Sequence, residues 1–380
     1  MSKTDDTATD DTGIETVSNR SEIVFLFDAV DCNPNGNPLS DANRPRIDTQ
    51  TNQAIVTDVC LKQYIRREFN HGGLGVYISP PSKTGEDAQT RTNLLWTVLK
   101  DTISDFDDPE DIEDGIRDDF YDGAIDVRLF GATLSFKTKN EEDGEDTDDD
   151  EALVEAVKKY LPQHIRGPVQ FSPGRTMHPV EVNENYNTLS SVIATGKGKK
   201  QGGFGLDDHR IKYGYFRFHA IVNENAATHT RLTDQDVRHL DRGVWRGVKN
   251  QTNSRAKMGQ EPRVYIRVEY KMDNFHLGDL HLDVDLDDST DENGDQRSKP
   301  ASELRTIRDA CLDITPLCTR LKENSDRIET VHVAVDRAVQ ARNGDEVGTG
   351  DFFIDQVASA VGSDSVEEID VLTTPAFDPE

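Results

Sequence analysis

Ile23 to Phe27 is an unbroken apolar run, IVFLF. Such a run is what a buried strand makes. It leads into Asp31–Pro38, DCNPNGNP, a loop of turn formers. Thr57 then caps a predicted helix, TDVCLKQYIRREF, with Val59, Leu61, Ile65 and Phe69 toward a core and Lys62 and Arg66 sharing another face. Ile125 to Phe136 (IDVRLFGATLSF) predicts one or two strands broken at Gly131, and Ala152 to Tyr160 a short helix. Val169 to Phe171 and Leu189 to Thr195 read as extended segments flanking a long insertion. Ile211 to Val222 alternates like a half-buried strand. A second helix starts at Thr233, with Asp236 at capping-box spacing and Val237, Leu240, Val244 and Val248 inward. Val264 to Tyr270 adds another alternating strand, and a last helix is predicted near Ser302 to Leu312.

The order is strand, helix, strands, insertion, strand, helix, strand. This α+β pattern matches a ferredoxin-like or RRM-like β-α-β-β-α-β plan carrying inserted subdomains. The predicted division is a disordered acidic leader over 1–20, a core with insertions over 21–285, and a C-terminal helix and acidic tail over 286–380. An acidic finger-like insertion occupies about 100–150 and a hairpin about 168–208.

Composition changes the picture in one respect. The 380 residues carry 72 acids against 43 bases, a net charge of −29, and much of the excess lies in tracts at Asp5–Asp11, Asp105–Asp122, Glu141–Glu151 and Asp283–Asp295. Acidity on this scale suits a protein kept soluble in strong salt and points to a halophilic host; an acidic partner-binding protein or nucleic-acid mimic is the other reading. Against that background, Pro162 to His219 holds eight Lys or Arg and only four acids. A phosphate backbone explains such an inversion, because Lys and Arg release its counterions whatever the base sequence. Lys197, Lys199 and Lys200 lie in a flexible glycine-rich loop that suits close approach to phosphates.

Other chemistry fits poorly. Asp31-Cys-Asn33-Pro-Asn35-Gly36 opens like an EF-hand loop, but Ala42 stands where the bidentate Glu belongs. Gly196 to Lys200 lacks P-loop spacing. Asp28 and Asp31 are a weak carboxylate pair for metal-assisted cleavage in so acidic a chain. Cys32, Cys60, Cys311 and Cys318 show no CxxC pair, which predicts inert thiols in a reducing cytoplasm. The ten histidines, His164 and His178 among them, form no triad order. No apolar run approaches a membrane span, and the N-terminus shows no secretion signal. No cofactor or metal is expected.

Several segments in order then carry a resemblance: SEIVFLFDAVDCNPNGNP, NRPRID, the Thr57 helix, GPVQFSPGRTMHPVE, KKQGGFGLDDHRIKYGYFRFHA and GVWRGVKNQTNSRAKMGQEPRVYIRVEYK. From about Ser21 to Lys271 the chain resembles the Cas-seven family, the backbone subunit of type I CRISPR Cascade complexes, and is similar to the subtype I-B version. The resemblance implies a hand-shaped protein on an RRM-like palm, whose copies stack in a helical filament along CRISPR RNA while a thumb hairpin crosses the RNA. It implies partners: CRISPR RNA, target DNA within the assembled complex, other copies and other Cascade subunits. Members of type I complexes are not nucleases. By resemblance Val169 to about Gly205 is the thumb, Lys62 and Arg66 are palm contacts, and Arg44, Arg46, Arg255 and Lys257 are further contacts; Arg175, in the basic window, is another RNA-binding candidate. Met177 is a candidate wedge between bases, with burial under the thumb as the other reading. The other functional classes are a type III-like subunit cutting target RNA through Asp31, and a stand-alone RRM-like RNA-binding protein that stays monomeric on RNA; a ferredoxin-like core in nucleic-acid proteins commonly presents one face to a single strand.

Overall fold

The computed structural model describes residues 14–36, 43–78, 98, 116–136, 155, 157–189, 205–373 and 377, with 184–189 and 205–208 described by backbone alone. The chain begins with β1 (Ser21–Cys32), β2 (Ile55–Val56) and α1 (Asp58–His71), followed by α2 (Ile116–Asp122), α3 (Ile125–Phe130), β3 (Gly131–Thr133) and β4 (His164–Arg166). Next come β5 (Val169–Phe171), β6 (Gly174–Thr176), β7 (Val182–Leu189), β8 (Gly205–Val222), α4 (Glu224–Thr230), α5 (Asp234–Lys249) and β9 (Gln260–Tyr270). The C-terminal part holds β10 (Asp285–Leu286), β11 (Cys311–Asp313), α6 (Thr315–Glu323), β12 (Ile328–Val335), β13 (Gln340–Asn343), β14 (Glu346–Gly348), α7 (Gly350–Val361) and β15 (Val366–Glu368).

The central sheet runs β15-β12-β9-β1-β8-β6-β2, with β5 and β7 also paired to β8. β1 is antiparallel to both β8 and β9, and β5 is antiparallel to β8. The apolar run of β1 is explained by burial on both faces: Ile23, Phe25, Phe27 and Ala29 enter one core, Val24 and Leu26 another. On the first face lie α1 and α5. Thr57 caps α1, and Thr233 with Asp236 forms a full capping box on α5. A Cβ at Gly243 would stand 2.7 Å from the Phe69 ring, so the glycine lets the two helices close up. Val59 departs from the predicted inward stripe and is 67% exposed in the first turn.

The second face is covered by residues of the C-terminal part, among them Val284, Leu312, Leu317, Phe353 and Val357. This corrects three expectations. Residues 286–380 do not form a helix and tail: β12 joins the central sheet beside β9, and β10-β11-β13-β14 make a second sheet. The helix expected over Ser302–Leu312 is a single 3-10 turn at Ile307–Asp309, because Cys311–Asp313 pairs as β11 with β10 and β13. The described end of the leader is anchored: Val17 is buried, its N–H bonds Leu232 O at 2.9 Å, and Arg20 pairs with Glu224 at 2.8 Å.

A fourth correction concerns Ile125–Phe136. The segment is the helix α3 ended by Gly131 at φ 72, followed by β3. Ile125, Leu129 and Phe130 enter the core of the first sheet face while Val127 enters a separate small core with Phe120 and Leu161. A short helix buried on two sides has no polar face, so its sequence shows no helical period.

Candidate nucleic-acid interface

Lys62 and Arg66 project from one face of α1 and converge on the Phe130 ring, 5.6 and 5.3 Å from its centroid. Neither is an open cation. Lys62 is 8% exposed and Arg66 7%. Lys62 Nζ donates to Gln170 Oε1 at 3.2 Å and pairs with Asp58 at 3.4 Å; burial pulls its pKa below the usual lysine value despite that carboxylate. Arg66 Nε pairs with Asp126 Oδ2 at 2.8 Å, and Asp126 also accepts from the N–H groups of Tyr77 and Ile78. Arg66 therefore braces α1 against the elements that follow it. Phe130, Gln170 and Asp126 were not legible as partners in the sequence, since they lie 60 residues or more along the chain from Arg66 and Lys62.

A second group gathers around the turn after β1. Asn33 N donates to Ala256 O and Asn33 Nδ2 to Asn43 O, both at 2.7 Å, and Gly36 bridges Pro45. These bonds bring the NRPRID segment and the Arg255–Lys257 segment to one turn. Arg44 and Arg255 are exposed there. Arg46 is half-buried and its Nε is enclosed without a hydrogen-bond partner. Lys257 is half-buried and donates to the Pro34 carbonyl.

The hairpin is narrower than expected. Its described arms are β7 and the first part of β8, from Val182 opposite Ile211 to Leu189 opposite Gly205. Val169–Thr176 lies instead in the central sheet as β5 and β6. Lys197, Lys199 and Lys200 lie outside the described residues. At the hairpin base Arg210 Nη1, absent from the predicted contacts, donates to Asp31 O at 3.0 Å. Arg175, 49% exposed, pairs with Asp48 at 2.9 Å. Met177 is half-buried against the core of the second face and gives its N–H to Tyr215 O at 2.9 Å.

Among the described residues the second sheet face is covered rather than open. Tyr213, Tyr215 and Tyr270, the aromatics of the second face, are 2% exposed or less beneath the C-terminal part. Asp28 is fully buried and held by Arg263, 2.9 Å to Nε; burial outweighs that cation and pushes its pKa up to about 6. Its carboxylate is thus a structural partner, apart from exposed Asp31 at φ 47. His178 is buried, its Nδ1 2.8 Å from Pro179 O and its Nε2 accepting from Tyr215 N at 3.3 Å, which fits a neutral ring; burial lowers its pKa. Among the described residues no group of three His, Cys, Asp or Glu is placed to hold a metal, and no helix is long and apolar enough to cross a membrane.

The family model for CRISPR-associated protein Cas7 matches residues 19–315. A Haloferax volcanii protein described as CRISPR-associated protein Cas7 is 45% identical over 359 residues, 94% of this chain and 98% of that protein. Two solved structures are weakly similar: a CRISPR RNA-guided surveillance complex, pre-nicking, at TM-score 0.42 and 13% identity over 90% of this chain and 100% of that one, and a CRISPR RNA-guided surveillance complex at TM-score 0.39 and 12% identity over 83% and 88%. At such scores neither likeness carries an argument. A halophilic host fits the source of the curated relative.

Proposed function

The chain belongs to the CRISPR-associated Cas7 family, and we propose that it is the non-catalytic backbone subunit of a type I, subtype I-B-like Cascade surveillance complex in the cytoplasm. It binds CRISPR RNA along its sugar-phosphate backbone and stacks with other copies into a helical filament. Within the assembled complex it sits beside other Cascade subunits and holds the RNA for pairing with target DNA.

The observation that carries this reading is 45% identity to a Cas7 protein across 94% of the chain. The antiparallel order β9-β1-β8-β5, with α1 and α5 on one face, supports a ferredoxin-like or RRM-like palm of the β-α-β-β-α-β plan. The β7–β8 hairpin suits the thumb, and its lysine-rich connection Lys197–Lys200 suits phosphate contact. Burial of the second sheet face removes the surface on which bases would stack, which favours contacts from exposed cations such as Arg44 and Arg255. Backbone contacts of that kind hold RNA without reading it, as one protein serving every spacer requires.

The test is to purify the tagged protein from its host in high salt and sequence the RNA that accompanies it. Spacer-repeat RNAs of near-uniform length, with other CRISPR proteins alongside, are expected. No RNA, or a random cellular mixture, would overturn the reading.

A further inference from the structure

Three donors converge on one carbonyl at the centre of the Asp31–Gly36 turn. Tyr64 Oη donates to Pro34 O at 2.7 Å and Cys60 Sγ at 3.6 Å, and the Lys257 ammonium donates to the same oxygen. The ammonium also lies 5.7 Å from the centroid of the Tyr64 ring. Burial draws the pKa of Lys257 below the usual lysine value, and no carboxylate among the described residues pairs with it. An ammonium leaves water at a cost unless its interactions are replaced; here a carbonyl and an aromatic face replace them.

The turn so fixed is tied to residues that bracket two exposed arginines. Asn33 Nδ2 bonds Asn43 O and Gly36 bridges Pro45, on either side of Arg44. Asn33 N bonds Ala256 O, next to Arg255. Asn35 Oδ1 accepts from Thr57 N at 2.9 Å and Thr57 Oγ1 at 3.0 Å, which locks the turn onto the start of α1.

We infer that Lys257 is a positioning residue for RNA binding: with Tyr64 it pins the Pro34 carbonyl, and so sets Arg44 and Arg255 in place as phosphate contacts rather than touching phosphate itself. This rests on the RNA-binding reading. Tyr64 supplies the test, because its hydroxyl is uncharged on a side chain only 3% exposed, and can act on RNA only through the turn.

Binding of a repeat-spacer RNA to the full chain is measured across a salt series, with melting curves in high salt as the folding control. Tyr64→Phe and Lys257→Met are each expected to weaken binding by about tenfold, the loss that follows removal of one such hydrogen bond. The double variant is expected to lose little more than either single, since both act on one carbonyl, and Lys257→Arg to recover part of the loss. Wild-type binding by Tyr64→Phe, together with a Lys257→Met variant that loses affinity and about 0.7 of the salt slope, makes Lys257 a direct contact and overturns the inference. Should either variant fail to fold, Asn35→Ala releases the same turn from Thr57 without altering charge, and unchanged RNA binding by it overturns the inference equally. If the wild-type chain holds no repeat-spacer RNA, the RNA-binding reading itself fails, and this inference falls with it.

Discussion

One group of cations stands on α1 and another on loops near its start, and they differ in what surrounds them. Lys62 and Arg66 are under cover, held by Asp58, Gln170 and Asp126 over the Phe130 ring. Arg44 and Arg255 are exposed on segments that the Asp31–Gly36 turn brings together. The difference teaches that a basic residue's place in a motif does not say whether its charge faces solvent. An arginine paired at 2.8 Å with a buried carboxylate first holds the fold; one on an exposed loop lies where a polyanion can reach it.

The sharpest way to break this contrast is Arg66→Ala. It leaves Asp126 buried without its cation, and a loss of about 3–5 kcal/mol is expected, the range for breaking one partner of a buried pair. Urea unfolding in high salt measures it. A loss under about 1 kcal/mol would place Arg66 with the exposed group.

Asp28 extends the contrast to a third pair. Its folded pKa of about 6 lies above the ordinary 3.8, so the folded state holds the proton more tightly. Stability contributed by this group is fully present below about pH 4, declines as pH rises to about 6 and is flat above. The change is on the order of 3 kcal/mol. Unfolding free energies of Asp28→Asn minus wild type, followed from pH 4 to 7, should show the slope lost in the variant. Parallel curves would mean that Asp28 is ionised throughout.

A smaller effect is expected from Lys62→Met, which keeps the stem over Phe130 and removes a donor to Gln170 and Asp58. About 1 kcal/mol of stability should go. The smallest structural effect is expected from Arg44→Ala with Arg255→Ala: stability within about 0.5 kcal/mol of wild type, but a salt slope for RNA binding reduced by about 1.4, at roughly 0.7 per phosphate contact on a single strand. An unchanged slope would remove both from the interface.

Much of the helical face was readable from local chemistry. Thr57, and Thr233 with Asp236, mark the starts of α1 and α5, and Leu61, Ile65, Val237 and Val244 repeat at helical spacing because only one face of each helix is buried. α3 escaped because cores on two sides erase its period. The C-terminal part escaped for another reason: its apolar residues stand in short runs broken by acids, and Val331, Val333, Phe353 and Val357 join a core with β1, β8 and β9 only in the fold. The candidate site was legible as residue types and order. Which cations are covered was not, since Asp126, Phe130 and Gln170 reach α1 only through the fold.

As a Cascade backbone subunit, this chain is proposed to stack along guide RNA by backbone contacts. The direct measurement is the mass of complexes formed by the purified chain with repeat-spacer RNAs of several lengths and unrelated spacer sequences. Copies per RNA are expected to rise in regular steps with length and to be indifferent to sequence. One copy per RNA at every length, or binding that follows spacer sequence, would contradict the claim.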